Sequence, residues 1–286
     1  MNYQIVTDSC CDFSAQEYER LNLSVVPLSV EFRGTVTDDR NDDSLKTIYD
    51  GLRAGENART SAVNPTAWRA AMEPWLEKGR DVLVLAFSSG LSTTCQSAEI
   101  AAAELREEYP ERKILVVDTL CASMGQGLLV WYACRKRDAG ATLEEVYTWC
   151  MENRLNLCHW FTVDDLFFLK RGGRISAATA LVGTMLSIKP VLHVDNEGHL
   201  ISVGKARGRK AAIEALAKKT AELGEGFDNS TMFISHGDCR EDAEYLAKLL
   251  LEKYGAKEVL INYVGAVIGS HAGPGTLALF FMGSHR

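Results

Sequence analysis

No apolar run in this 286-residue sequence reaches the roughly 20 residues of a membrane span; Thr276–Met282 is typical of the longest. The opening residues, Met1-Asn2-Tyr3-Gln4, carry no basic segment followed by an apolar stretch. A secretory signal is therefore not expected, and the cytoplasm is the default location. Excess basic charge is missing too: 31 Lys and Arg stand against 38 Asp and Glu, a net charge of -7. That balance argues against nucleic acid or an anionic membrane as the main partner, because both attract basic surfaces. No C-x-x-C pair occurs among the eight cysteines, Cys10, Cys11, Cys95, Cys121, Cys134, Cys150, Cys158 and Cys239. Several fall in apolar helical patterns and read as small core residues, so neither a metal site nor a disulfide framework is expected. A P-loop, an H-E-x-x-H pair, a dinucleotide fingerprint and a G-x-S-x-G elbow are all absent.

What is present alternates between extended and helical patterns. Tyr3–Thr7 reads as a short strand, and Leu23–Phe32 as extended chain interrupted by Pro27. Asp81–Phe87 and Lys113–Val117 are near-continuous apolar runs, the mark of strands buried on both faces. Between them come helical segments with start signals. Ser14 and Glu17 form a capping-box pair, Ser44 stands before a helical run to Ala54, and Asn64-Pro65 opens a helix to about Lys78. Helices are also predicted over 94–109, 124–137 and 142–156. This βαβα order predicts an N-terminal α/β/α domain, residues 1–157, with a mainly parallel sheet. The second half, 158–286, reads as a two-layer α/β domain with a mixed sheet. It has strands at 158–163 and 231–235, a hairpin across Asp195-Asn196-Glu197-Gly198, and helices near 164–169, 177–186, 208–222 and 240–253. The final apolar run reads as a strand.

Three segments rich in hydroxyls or glycine adjoin apolar elements and read as loops: Thr60-Ser61, Ser88–Thr94 and His271–Gly275. In open α/β sheets, ligands collect at the carboxyl ends of strands. Ser88–Thr94 leaves a strand at that end and opens a helix, whose N-terminal amides favour an anion. A carboxylate or phosphate there gains backbone donors and the hydroxyls of Ser92 and Thr93. The plain reading of such a loop is an N-cap. An enzyme reading stands beside it: Ser88 or Ser92, His271, and Asp118 or Asp8 are the residue types of a hydrolase triad. Asp164-Asp165 reads as a solvated helix start. The basic stretches Lys170–Arg174 and Lys205–Lys210 read either as solvated flanks or as a docking surface for an anionic partner.

At these residues the sequence resembles the DegV family of fatty-acid-binding proteins. The matching pieces are Thr7-Asp8-Ser9, Thr60–Pro65, Ser88–Thr94, Gly172–Ser176, Ile188-Lys189-Pro190, Lys205-Ala206-Arg207 and Gly269–Gly275. Their order and spacing across nearly the whole chain carry the resemblance. It implies two α/β domains holding one long-chain fatty acid in an apolar tunnel. Hydroxyls matching Thr60 and Ser92 would hold the carboxylate, with His271 close by and Ser61, Ser89 and Thr93 as further contacts. It also implies a non-catalytic binding subunit of a bacterial fatty-acid kinase, with Arg174 and Arg207 contacting the phosphate or the kinase, and no cofactor. The sequence departs from the pattern at Cys11, at Thr93, where Gly is usual, and at Ala272, where Thr is frequent. The alternative from another class is a serine-dependent hydrolase or acyl-transfer enzyme using Ser92 and His271.

Overall fold

The buried runs seen in the first half form a parallel sheet. β1 (Tyr3–Asp8), β2 (Ser24–Val26), β6 (Asp81–Ala86) and β7 (Ile114–Asp118) pair in the order β2-β1-β6-β7, all parallel. β1 is buried along its whole length and β6 from Val82 on, as strands covered by helices on both faces must be. The computed structural model describes residues 2–39, 42–176 and 187–286. The helix predicted over 177–186 lies outside the described residues.

Helices cover this sheet from both sides. α1 (Ala15–Arg20) begins with the predicted capping box of Ser14 and Glu17, and α3 (Pro65–Glu77) is capped by the Asn64 side chain. α2 (Asp42–Arg53) starts two residues before the predicted Ser44 cap. The segment Asn41-Asp42-Asp43-Ser44 offers four residues that all favour N-caps, so local preference alone does not choose among them. α4 (Thr94–Glu108), α5 (Met124–Asp138) and α6 (Leu143–Asn153) follow near their predicted positions.

A second, three-stranded antiparallel sheet joins β3 (Ser29–Phe32), β4 (Thr35–Asp38) and β5 (Ala58–Ser61) in the order β4-β3-β5. It corrects the loop reading of Thr60-Ser61. Thr60 is a strand residue paired with Val30, because β3 supplies an edge to which this short polar segment adds.

All strands of the third sheet lie beyond residue 156. They are β8 (Leu157–Thr162), β9 (Ile188–Val194), β10 (Leu200–Arg207), β11 (Thr231–His236), β12 (Glu258–Tyr263) and β13 (Leu277–Met282). The order is β10-β9-β8-β13-β11-β12, mixed as expected: β11 and β12 are parallel and the other neighbours antiparallel. One face carries α8 (Arg209–Leu223) and α9 (Arg240–Lys253), through a core that includes Ile213, Leu246, Ile234 and Phe281. The other face packs on α5. Leu128 of that helix shares one core with Leu85 and Val117 of the parallel sheet and with Phe161 and Phe280 of the mixed sheet. α5 is thus common ground between the two sheets. The remaining helices are α7 (Leu166–Arg171) and α10 (Ala266–Ala272). α10 corrects the second loop reading: His271 sits in the last turn of a helix, and the glycine-rich loop begins only at Gly273.

Candidate functional site

The carboxyl ends of β2, β6 and β7 open onto a cavity of about 530 Å³. This is the crevice where ligands of parallel α/β sheets collect. Leu28, Phe87 and Ala122 follow those three strands and contribute its inner wall. Phe161, Val194, Ala278 and Phe280 of the mixed sheet form the facing wall, and Val267 and Ile268 of α10 a third. The lining is mostly apolar, and its volume falls within the range of about 300–1,000 Å³ usual for small-molecule sites.

All six predicted head-group residues line this cavity: Thr60, Ser61, Ser89, Ser92, Thr93 and His271. Thr60, Ser92 and His271 are half-buried, whereas Ser61, Ser89 and Thr93 are exposed. Thr60 Oγ1 lies 2.8 Å from His271 Nε2. Ser92 Oγ lies 2.8 Å from Thr94 Oγ1 and accepts from the Thr94 backbone N–H at 3.2 Å. Ser92 thereby meets one free N–H at the start of α4, as the cap reading expected, while Thr93 makes no side-chain cap bond.

The imidazole of His271 is held neutral. Burial first, and then the charges of Arg174 and Arg171, push its pKa down to about 4. The ring has a tight seat: a Cβ on Gly172 would lie 2.4 Å from His271 Nδ1, so only glycine lets the end of α7 approach it this closely. If the neutral ring carries its proton on Nε2, it donates to Thr60 Oγ1 and frees the Thr60 hydroxyl hydrogen for an anion.

Arg174 also lines the cavity and donates to Leu91 O at 3.1 Å, tying the Ser88–Thr94 loop to the end of α7. Burial lowers the pKa of its guanidinium. Arg207 is not among the cavity residues; it is exposed at the end of edge strand β10, opposite Ile188.

The triad geometry of the hydrolase reading is not formed. His271 bonds Thr60, Ser92 bonds Thr94, and Ser88 Oγ donates to Gly198 O at 3.0 Å. Asp118 accepts from the Ser89 and Leu120 backbones, and Asp8 from Phe87 and Cys10. Asp165 caps α7 while Asp164 pairs with Lys189, the helix-start role expected of that pair. All eight cysteines are free thiols, and burial pushes that of Cys121 up to about 11.

Sequence reasoning missed the cavity's inner polar groups, Ser123, Ser235 and His159. No motif marks them, and their neighbours satisfy them. Ser123 Oγ donates to Asp12 and lies 2.8 Å from Ser235 Oγ. His159 Nδ1 bonds Leu157 O at 3.0 Å, while its Nε2 accepts from the Ala122 N–H at 3.3 Å. Groups so paired leave no unmet demand in the cavity, which stays hospitable to hydrocarbon. Among the described residues, no cluster of three His, Cys, Asp or Glu side chains is placed to hold a metal ion. No described helix is long and apolar enough to cross a membrane.

Comparison with known proteins agrees across the whole chain. The family model described as "Uncharacterised protein, DegV family" matches residues 2–284. A DegV domain-containing protein of Clostridium perfringens is 44% identical over 286 residues, covering 99% of this chain and 98% of that one. Among solved structures, a DegV family protein from Thermus thermophilus, described by its fatty acid binding, superposes with a TM-score of 0.89 at 35% identity, covering 99% of this chain and 100% of that chain. A DegV lipid-binding protein from Thermotoga maritima superposes with a TM-score of 0.86 at 30% identity, covering both chains in full (100% of each). The chain belongs to the DegV family.

Proposed function

We propose that this protein binds one long-chain fatty acid in the cavity and presents it to a fatty-acid kinase. Thr60, Ser61, Ser89, Ser92, Thr93 and His271 take the carboxylate, the acyl chain runs along the apolar walls, and Arg174 and Arg207 face the phosphate or the kinase. In this reading the protein is a non-catalytic binding subunit without a cofactor, built as two domains, 1–157 and 158–286. The observation that carries it is the meeting of half-buried neutral donors, Thr60, Ser92 and His271, at one cavity whose other walls are mostly apolar. The fatty acid binding ascribed to the relative from Thermus thermophilus supports the ligand class.

The energetics are consistent. A sixteen-carbon acid has about fourteen methylenes, and at roughly 0.8 kcal/mol each their burial supplies about 11 kcal/mol before the costs of association. The head group then needs only two or three hydrogen bonds, each contributing about 1.5–3 kcal/mol to a charged group. Mass spectrometry of lipid extracted from the purified protein tests the ligand: a stoichiometric long-chain fatty acid is expected. A protein that neither carries nor takes up such acids overturns the reading. In a reconstituted kinase assay, Ser92→Ala is expected to weaken binding of the acid modestly and to support little acyl-phosphate formation. Undiminished phosphorylation removes Ser92 from the transfer site.

A further inference from the structure

Three aspartates stand one layer behind the cavity, and none of them lines it. Asp8, Asp12 and Asp39 are 0%, 7% and 8% exposed. Each directs carboxylate oxygens to backbone N–H groups, and in each case at least one of these lies at the root of a segment that does line the cavity. Asp8 accepts from Phe87 N–H at 2.7 Å, where β6 passes into the loop of Ser92. Asp12 accepts from Gly265 N–H at 3.0 Å and from the Ser123 hydroxyl, joining the approach to α10 with the start of α5. Asp39 accepts from Val267 N–H at 2.7 Å, in the first turn of α10, and from Ser9 Oγ at 3.0 Å.

Such an arrangement is costly. Carboxyls removed from water resist ionisation, and burial pushes Asp8 up to about 6, Asp39 up to about 7 and Asp12 well above its ordinary range. Asp12 and Ser123 both sit at φ 54, in the left-handed region that non-glycine residues avoid. A greasy residue at any of these positions would pack without that penalty, but it would leave buried N–H groups unmet. α10 has seven residues, too short to hold its own shape, so its start must be held from outside. One helical turn separates Val267 from His271, and both side chains reach the cavity.

We infer that Asp39 is a positioning residue for fatty-acid binding: by holding Val267 N–H it sets the helix that brings His271 to Thr60, as Asp8 sets the Ser92 loop through Phe87. The inference rests on the proposed function of the cavity, and it assigns these carboxyls no contact with ligand.

The test compares fatty-acid affinity in the full chain for wild type, Asp39→Ala, Asp39→Asn, His271→Ala and the Asp39→Ala/His271→Ala double variant. The His271 imidazole resonances are recorded without ligand in the wild type and the two Asp39 variants. Asp39→Ala is expected to weaken binding about tenfold and to shift the His271 resonances. Asp39→Asn keeps an oxygen for Val267 N–H and is expected to stay within about threefold. The double variant is expected to bind like His271→Ala, because both changes break one linkage. Additive losses, or Asp39→Ala with unshifted His271 resonances, overturn the inference. Should Asp39→Ala not fold, a displaced His271 resonance in Asp39→Asn, which retains the acceptor, counts against it. Should the wild type take up no fatty acid, the functional reading fails, and the ligand-free His271 resonances still decide the role of Asp39.

Discussion

Thr60 and His271 are 211 positions apart in the chain, yet Thr60 Oγ1 lies 2.8 Å from His271 Nε2. One stands on a short edge strand and the other in the last turn of a seven-residue helix. Their meeting makes a neutral donor pair at a cavity of about 530 Å³. Thr60→Ala and His271→Ala are each expected to weaken fatty-acid binding about tenfold, and together little more than either alone. Calorimetric titration with a C16 acid (about sixteen carbons, as in the burial arithmetic) measures this. Full affinity in both single variants removes the pair from the head-group site.

The seat of that histidine can be tested without touching the ring. Gly172→Ala places a methyl about where His271 Nδ1 now packs. Gly172 has an ordinary helical φ of -72, so the substitution introduces no backbone strain of its own. The expected result is fatty-acid binding weakened several-fold with the melting temperature nearly unchanged. A large drop in melting temperature with binding intact would mean that the close approach serves packing alone.

His271 has its pKa pushed down to about 4 by burial and by Arg174 and Arg171. The folded value lies below that of the unfolded chain, so the unfolded chain takes up the proton first as pH falls. The neutral ring's contribution to stability is therefore complete above about pH 6.5 and is lost as pH drops toward 4. A carboxylate bound beside the ring favours its charged form. An NMR titration should show a midpoint near 4 in the empty protein and a higher one in the loaded protein. Equal midpoints would place the carboxylate elsewhere.

Asp39 runs the other way. Its folded pKa is raised to about 7, mainly by burial, with backbone and Ser9 hydrogen bonds opposing and the neighbouring Asp38 and Asp8 adding to it. The stability linked to its proton is fully present below the unfolded value, and it is lost as pH rises through about 7. Asp39→Asn carries no such charge. Its melting temperature relative to wild type should therefore rise by several degrees between about pH 4 and pH 7, the window between the unfolded and folded pKa values. A pH-independent difference would show that the carboxyl ionises freely.

Much of the scaffold is written in local pattern. Asp81–Ala86 and Ile114–Asp118 announce buried strands through unbroken apolar character, and Asn64-Pro65 and Ser14 mark helix starts through hydrogen bonds within a turn. The Ser88–Thr94 loop declares itself by following such a strand. Thr60-Ser61 and His271 were harder. Thr60 becomes a strand residue because β3 offers it an edge, and His271 is helical because buried carboxyls hold the start of α10. Neither cause lies within several residues of its effect.

The sequence by itself determined the α/β class, the helix caps at Ser14 and Asn64, the buried strands and the identity of the hydroxyl and imidazole groups, because each depends on neighbours within a turn or a strand. Only the tertiary structure decided that Thr60, Ser92 and His271 share one cavity, that Arg174 reaches it while Arg207 stays on an outer edge, and that Asp8, Asp12 and Asp39 stand behind it. Those relations arise where the parallel and mixed sheets close on α5. Packing between distant segments brings such groups together, and local preference carries no record of which segments will meet.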